Sequence, residues 1–454
     1  RALATIDADE ISADLHFLAS DLLRGRDTPS PEQRIAARFI AARLGRLGFV
    51  PGAEDGWFWE YEMPMASIDG EASSLTLTRE QESVQLKLGE DYAFTTSGIL
   101  DSDVSGASII YGGTMSEADQ EGLDLEGRWV LVTRSEDVSS WDISSAVRHA
   151  KGLGALVLPG GDLSNADMDK RVKAYGASVI EGRMRRGRSR GKTPPTLYLT
   201  EAAGNALQRL AGDGEWKPGT ILEVGCQEVR KRREEATVGL ENVVGIWPGS
   251  DPTLKNELII VSAHYDHVGV SDSGEVFNGA DDNGSGTSAV LAVAEALSRY
   301  GPMRRSVMLM WVSGEEKGLL GSSAWTKNPY LPGDLRPVLD VNIDMVGRND
   351  AKSLLITPTK DHKAYNGLTR LAESFSAEEG FDPLGSADAY WSRSDHANFY
   401  KNLDIPVAFL FSDVHEDYHQ TTDTPDKIDY DKVRRVARLV MRMLDGLQAD
   451  ELAL

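Results

Sequence analysis

The second half of the chain predicts an α/β fold, a three-layer sandwich of helices around a mixed, mostly parallel sheet. From Glu241 onward, short apolar runs typical of buried strands alternate with longer stretches of helical periodicity. This alternation is typical of a parallel sheet covered by helices. We expect strands at residues 242–247, 258–263, 306–313, 338–344, 354–357 and 407–411, and helices at residues 285–300, 363–379 and 431–447.

The beginning of the chain is predicted to complete the same domain. Residues 8–48 have the pattern of two amphipathic helices separated by a Gly-Arg turn. Pro31 stands where an early helical position tolerates proline, and Gly48 suits the end of the second helix. Alternating runs then predict short strands at residues 57–65, 74–78 and 84–88.

The sequence pattern changes at about residue 94, after which Gly-rich turns separate short β runs. We expect strands at residues 107–111, 129–133, 155–158 and 196–199, and a helix at residues 144–153. This stretch has none of the clustered histidines and carboxylates found later in the chain. The sequence therefore predicts a small β-rich domain at 94–227, inserted into a larger discontinuous domain of residues 1–93 and 228–454.

Composition excludes several classes of protein. The 454 residues carry a formal net charge of −23, which argues against nucleic acid as a partner. Cys226 is the one cysteine, so an intrachain disulfide framework and a thiolate zinc cluster are both excluded. No apolar stretch is long enough to span a membrane. The sequence that begins at Arg1 shows no leader pattern. We expect a periplasmic or secreted bacterial protein whose leader was removed, and a cytoplasmic location is the alternative.

Side chains that commonly bind metals come directly after the predicted strands of the second half. They are His264, Glu315, Glu316 and Asp344. Two further groups lie outside the strands. One is the Gly-rich turn 278–286, which contains the two carboxylates Asp281 and Asp282 and precedes a helix, and the other is the segment 417–419, which ends in His419. Because ligand sites of such sheets lie beyond the carboxyl ends of the strands, we expect these groups to meet there.

This set of side chains matches the chemistry of zinc. Zinc binds histidine nitrogen and carboxylate oxygen, and two histidines with three carboxylates suffice for two ions if one carboxylate bridges them. Paired metal ions share a hydroxide and stabilise the developing oxyanion, and a spare carboxylate is then needed to accept a proton. The adjacent Glu315 and Glu316 point in different directions at a strand end, so one can bind metal and the other can act as base. Each motif alone is weak, and their combination at strand ends carries the prediction.

With these motifs, the sequence resembles the co-catalytic zinc exopeptidases, a family that includes bacterial leucyl aminopeptidases, glutamate carboxypeptidase and the non-catalytic transferrin receptor. The resemblance covers residues 1–92 and 240–454. The inserted segment resembles a protease-associated domain through GRWVLVTR at 127–134 and AVRHAKGLGALVL at 146–158.

The resemblance implies a role for each matching residue. Two zinc ions per chain would be bound by His264, Asp282, Glu316, Asp344 and His419. Asp282 would bridge the two ions and Glu315 would be the general base. Tyr418 would hydrogen-bond the tetrahedral intermediate, and Asp266 would orient the imidazole of His264.

Two further motifs are expected close to the ligands. Asp395, in the motif Ser394-Asp395-His396, is expected behind the ligands or else in a structural hydrogen-bond network. His267 is expected to support the ligands without binding metal.

The leading functional prediction is a di-zinc aminopeptidase that hydrolyses N-terminal residues from peptides. A carboxypeptidase or dipeptidase would need cations for the substrate carboxylate, and Arg348 and Arg393 are the candidates near the motifs. A glutaminyl cyclase uses a similar fold with one zinc, and the full acidic set argues against it. A non-catalytic scaffold of the receptor type is the least expected, because its ligands are degraded whereas these are intact.

Overall fold

The structure of the protein is a computed structural model that describes residues 2–94, 101–161, 163–184, 194–212, 214–233, 236–271 and 274–452. The chain divides into two compact units. Unit 1 comprises Arg1–Glu62 and Gly239–Leu454, and unit 2 comprises Met63–Val238. Most of the basic segment at 183–192 lies outside the described residues.

The elements follow one another in chain order. The helices are α1 (Ala8–Leu18), α2 (Pro31–Leu47), α3 (Glu117–Gln120), α4 (Ser140–His149), α5 (Asn165–Glu181), α6 (Glu201–Ala211), α7 (Gly286–Tyr300), α8 (Leu320–Lys327), α9 (Gly367–Ser376), α10 (His396–Leu403) and α11 (Tyr430–Gly446). The strands are β1 (Val50–Pro51), β2 (Phe58–Ala66), β3 (Ser74–Arg79), β4 (Glu82–Lys87), β5 (Tyr92–Phe94), β6 (Ser102–Gly106), β7 (Ile109–Tyr111), β8 (Trp129–Thr133), β9 (Gly154–Leu158), β10 (Arg183–Met184), β11 (Thr196–Leu199), β12 (Ile221–Leu222), β13 (Gly225–Arg230), β14 (Ala236–Trp247), β15 (Glu257–His264), β16 (Ser306–Val312), β17 (Arg336–Ile343), β18 (Leu355–Thr357), β19 (Gly385–Ser386) and β20 (Val407–Phe411).

Unit 1 is built on a mixed sheet with the strand order β14-β16-β15-β17-β20-β18-β19. The central strands β16, β15, β17 and β20 are parallel to one another, whereas β14 and β18 are antiparallel to their neighbours β16 and β20. The carboxyl ends of the four parallel strands therefore meet at one edge of the sheet. The predicted α/β sandwich with a mixed, mostly parallel sheet is confirmed for unit 1.

Both faces of this sheet are buried, which explains why its strands are almost continuously apolar. On one face, Val261 of β15 packs in a core with Leu291 of α7 and Val440 of α11. On the other face, Ile260 packs in a separate core with Trp325 of α8 and Phe399 of α10. Successive residues of one strand thus supply two different cores, as the alternation of side chains along a strand requires.

The predicted element boundaries follow from local signals. Helix α2 begins at Pro31 because the Ser30 hydroxyl accepts the Gln33 N–H at 3.0 Å, and it ends at Gly48, which adopts a φ of 88°. Helix α9 begins later than the predicted residue 363 because Asn366 caps it. The two short helices α8 and α10 were not predicted, since each spans only 8 residues.

Unit 2 contains a six-stranded sheet of order β12-β7-β8-β9-β11-β5 and a four-stranded sheet of order β4-β3-β13-β6. The unit is wider than the predicted insert of 94–227, because β3 pairs with β4 and also with β13, as in the pair Leu77 and Cys226. Helices α5 and α6 were not predicted, and α4 begins before residue 144 because Ser139 and Asp142 form a capping box. The resemblance of the inserted segment to protease-associated domains stays a prediction.

Two features of the structure concern the exclusions drawn from composition, namely the surroundings of the one cysteine and the length of the helices. Cys226 is buried in the core of unit 2 and is unpaired. Among the described residues, none of the helices is long and apolar enough to cross a membrane.

Candidate metal centre

Three neighbouring parallel strands deliver their terminal residues to one place. His264 is the last residue of β15, Glu315 and Glu316 follow β16, and Asp344 follows β17. Strands β16 and β17 flank β15 on either side, so these side chains converge beyond the carboxyl edge of the sheet.

Asp282 reaches the same place from an irregular turn that precedes helix α7. Gly279 opens the turn at a φ of 59°, and Asp282 itself is not helical, with φ −100° and ψ 97°. The carboxylate of Asp423 fixes this turn, because it accepts the backbone N–H of Asp281 at 3.0 Å and that of Asp282 at 3.2 Å. The buried Asp282 side chain is thereby aimed at the strand ends.

The converging side chains form two ligand groups that share Asp282. In the three-residue group, His264 Nε2 lies 3.2 Å from Asp344 Oδ1 and 3.4 Å from Asp282 Oδ1. In the four-residue group, His419 Nε2 lies 3.1 Å from both Asp282 Oδ2 and Glu316 Oε2. Asp282 therefore presents one oxygen to each group, as a bridging carboxylate must.

His267 is the fourth member of the second group. Its Nδ1 lies 2.8 Å from Glu316 Oε1 and 3.7 Å from Asp282 Oδ2. In each group the donor atoms, one from each residue, all lie within 4.8 Å of one another. All five predicted ligands are thus brought together, and the sequence signal that could have added His267 is its place in the run His264-Tyr265-Asp266-His267.

The electrostatics of the groups reflect buried carboxylates facing imidazoles. Burial lowers the pKa of His419, but Asp282 and Glu316 outweigh this and raise it to about 10. The pKa of His264 is raised well above its usual value, because Asp344 and Glu315 outweigh the effect of burial. The carboxylates therefore stabilise positive charge at this place. Such a set of nitrogen and carboxylate donors fits zinc.

Glu315 and Glu316 point in different directions, as expected for neighbours at a strand end. Glu316 reaches the imidazoles of the four-residue group, whereas Glu315 lines a cavity together with Asp282 and Asp344. Burial and the nearby carboxylates raise the pKa of Glu315 well above its usual value. The carboxyl group of Glu315 faces the cavity, and this position suits proton transfer.

Supporting residues hold the ligands from behind. The Asp266 carboxylate accepts the backbone N–H of Glu315 at 3.1 Å, and its Oδ1 lies 3.7 Å from His264 Nδ1. Ser394, rather than Asp395, donates to the Asp344 carboxylate at 2.8 Å. Asp395 accepts the hydroxyl of Ser322 at 2.5 Å, and burial raises the pKa of Asp395 to about 7.

The cavity beside Glu315 is lined by both charged and apolar side chains. It comprises about 400 Å³ of space, part of it open to solvent, and is lined by Asp282, Glu315, Asp344, Met345, Tyr390, Arg393, Ser394, Phe409, Phe411, Val414 and Tyr418. The ring of Tyr418 stacks on that of His419 with centroids 4.0 Å apart, so the predicted tyrosine lies between the cavity and the four-residue group. Of the two arginines proposed to bind a substrate carboxylate, Arg393 lines the cavity, whereas Arg348 is paired with Asp417 at 2.7 Å.

Arg26 is a buried arginine that sequence reasoning missed. It connects the site to the N-terminal segment through hydrogen bonds. Arg26 is 1% exposed, and its guanidinium donates to the backbone oxygens of Tyr265 at 2.9 Å, Asn278 at 2.8 Å and Gly279 at 3.0 Å. Burial lowers its pKa to about 10, against the opposing effect of the carboxylates Asp266 and Asp282. Arg26 thus links the end of β15 to the turn that carries Asp282.

The chain is similar to several known proteins. Residues 242–444 match the model of peptidase family M28. The chain is 27% identical over 307 residues to aminopeptidase YwaD of Bacillus subtilis, covering 64% of this chain and 61% of that protein. It is 31% identical over 312 residues to a probable leucine aminopeptidase 2 of Trichophyton verrucosum, covering 67% of this chain and 54% of that protein. The chain thus spans less than two thirds of the length of these curated relatives.

Solved structures share the fold over nearly the whole chain. An aminopeptidase from Aneurinibacillus sp. strain AM-1 superposes with a TM-score of 0.57 at 25% identity, covering 99% of this chain and 96% of that one. The zinc aminopeptidase BSAP from Bacillus subtilis has a TM-score of 0.58 at 18% identity, covering 98% and 96%. The chain is thus similar in fold to solved aminopeptidases, and its two groups of metal-binding side chains lie within the segment that matches the family model.

Replacing Arg26 is expected to destabilise the protein strongly. Arg26→Met leaves several buried carbonyl oxygens without a donor, and each such loss typically costs about 1–3 kcal/mol, so we expect a loss of about 3 kcal/mol or more. Denaturant unfolding of the metal-free protein measures the change. Arg24→Met is the matched control, because the Arg24 side chain is 57% exposed and lies 3.9 Å from Glu32. Equal unfolding midpoints for the two variants would contradict the role given to Arg26.

Proposed function

We propose that this chain is an aminopeptidase that removes N-terminal residues from peptides and binds two zinc ions per chain. The observation that carries the proposal is the position of Asp282, whose two oxygens face two separate ligand groups at the wall of one cavity. The relatives that are named as aminopeptidases support the same activity.

Each ligand group can hold one ion. His264 and Asp344 would hold one zinc, His419 and Glu316 the other, and Asp282 would bridge them. When bound, a zinc pair supplies Lewis acidity that lowers the pKa of a water molecule and polarises the carbonyl of the scissile bond. The remaining steps depend on side chains of the chain itself.

Glu315 is the proposed general base. Its carboxylate lines the cavity beside Asp282 and Asp344, so it can accept a proton from the attacking water and pass it to the leaving amine. The backbone of Glu315 is held by Asp266, which keeps the carboxylate at the same place through both transfers.

Tyr418 is the proposed donor to the developing oxyanion. Burial and the surrounding carboxylates raise the pKa of its hydroxyl, so the group stays protonated and can donate a hydrogen bond at neutral pH. A fixed donor aimed at charge that develops in the transition state accelerates acyl transfer. Tyr418 lines the cavity, where the carbonyl of a substrate would be placed.

The cavity favours an apolar side chain on the substrate. Met345, Phe409 and Phe411 belong to one small apolar core that Tyr390 packs against, and all four line the cavity. The carboxylates at its inner end attract the free amine of a peptide, which favours an aminopeptidase over a carboxypeptidase. Arg393 is the candidate cation for the alternative, in which a substrate carboxylate is bound.

Zinc stoichiometry tests the first part of this proposal. Protein purified without chelators is expected to contain close to two zinc ions per chain, because two groups of donors are present and each suffices for one ion. Elemental analysis by mass spectrometry measures the content. A content of one that added zinc does not raise would favour a mono-zinc enzyme of the glutaminyl cyclase type.

Substituting the two glutamates separately tests their roles. Glu315→Gln keeps the size of the side chain but removes proton acceptance, and we expect turnover to fall by about 10²–10⁴ with zinc content unchanged. Glu316→Gln is the matched comparison, since it should weaken zinc binding and lose activity that excess zinc partly restores. If Glu315→Gln turned over at the normal rate, or lost zinc while Glu316→Gln did not, the two roles would be wrong.

Substrate preference tests the direction of hydrolysis and the use of the cavity. Leucyl-4-nitroanilide is expected to be cleaved with a higher kcat/KM than alanyl-4-nitroanilide, by about 10–200-fold, because the apolar wall contacts the larger side chain. Phe411→Ala should reduce this ratio, and the alanyl substrate serves as the internal control. An N-acetylated substrate should resist cleavage. Cleavage of blocked peptides from the C-terminus would instead support a carboxypeptidase.

A further inference from the structure

His267 takes a position that differs from that of a supporting residue. A residue that supports a metal-binding histidine usually contacts the ring nitrogen directed away from the metal. His267 instead directs Nδ1 at Glu316 Oε1, 2.8 Å away, and at Asp282 Oδ2, 3.7 Å away. These are the carboxylates that His419 also faces, and the two imidazole centroids lie 5.6 Å apart.

Packing fixes the ring of His267 in this orientation. A Cβ atom built on Gly279 would lie 2.5 Å from both Cγ and Cδ2 of the ring, so the bare backbone of Gly279 covers one side of the imidazole. The backbone N–H of His267 donates to the oxygen of Arg26 at 3.3 Å. The other ring nitrogen, Nε2, is buried and has no hydrogen-bond partner in the part of the chain that the structure describes. The carboxylates on the Nδ1 side are therefore the polar partners of this ring.

We propose that His267 is a fourth protein ligand of the zinc ion held by Asp282, Glu316 and His419, and that the two zinc sites are consequently unequal. This inference rests on the proposed di-zinc function. The four-residue group supplies two nitrogens and two carboxylates, which is a complete set for tetrahedral zinc. The three-residue group, His264, Asp282 and Asp344, leaves one position open.

The cavity supports this division. Among the described residues that line it are Asp282, Asp344 and Glu315, whereas Glu316, His267 and His419 are not part of its wall. The site with the open coordination position is thus the one that faces substrate and the general base. The four-residue site binds its zinc first and more tightly, and the three-residue site exchanges its zinc more readily.

Stepwise zinc affinities of the full chain test the proposal. Metal-free protein is titrated with zinc in competition with a chelator of known affinity, which yields two dissociation constants. Outer partners of metal ligands typically contribute 10–100-fold to affinity. His267→Ala is therefore expected to weaken the tighter constant by more than about 100-fold, as befits a direct ligand. The weaker constant should stay within about threefold of the wild-type value, whereas Asp344→Asn should weaken that constant alone.

Two further variants separate a ligand from a hydrogen-bonding or packing role. His267→Gln keeps an amide that can donate to Glu316 but that binds zinc poorly, so it should weaken the tighter constant as His267→Ala does. His415→Ala removes another buried histidine, whose Nε2 lies 3.2 Å from Asp281 instead of from a ligand. Both constants of this control should stay within about tenfold of wild type, the range of an outer partner.

X-ray absorption at one zinc equivalent provides a direct measurement. Two imidazoles are expected around zinc in the wild type and one in His267→Gln. A single imidazole in the wild type, or a His267→Gln variant with unchanged affinity, would overturn the role of His267. In that case two-zinc binding and aminopeptidase activity would persist, so the proposed function would stand. A wild-type chain that binds no zinc would overturn both.

Discussion

The placement of the Asp282 carboxylate between two groups of donors is the constraint on which the rest of the site depends. Its two oxygens must each face one of the two groups, and the residue lies outside the regular helix α7. The irregular turn before α7 solves this, because Gly279 adopts a positive φ and Asp423 accepts two backbone N–H groups of the turn. The sheet then needs only to bring its parallel strand ends to that turn.

Concentrating carboxylates in a buried place has an energetic cost that the surrounding structure offsets. Burial raises the pKa values of Glu315 and Asp395, and the acids around His264 and His419 raise the pKa values of both imidazoles. Arg26 adds a buried positive charge behind the site without contributing a ligand. Sites built for function often contain such locally unfavourable arrangements, which are stabilised by the packing around them.

The two neighbouring glutamates show how one strand end can supply two different functions. Because successive side chains diverge, Glu316 enters the four-residue group while Glu315 faces the cavity. The four-residue group and the cavity are thereby reached from opposite sides of one backbone segment. The same division distinguishes a closed set of four donors from an open set of three, so the proposed inequality of the zinc sites follows from the same geometry.

The sequence by itself determined the α/β class, the strands β15, β16 and β20, the long helices of unit 1 and the five side chains that converge, because periodicity and ligand chemistry are local properties of a chain. It could not determine short helices such as α8 and α10, or the extent of unit 2, which depends on the pairing of β3 with the distant β13. Tertiary structure alone decided that His267 joins Glu316, that Ser394 contacts Asp344 and that Arg26 binds the Asp282 turn. These contacts join residues far apart in the chain, and their geometry is set by packing that no local pattern records.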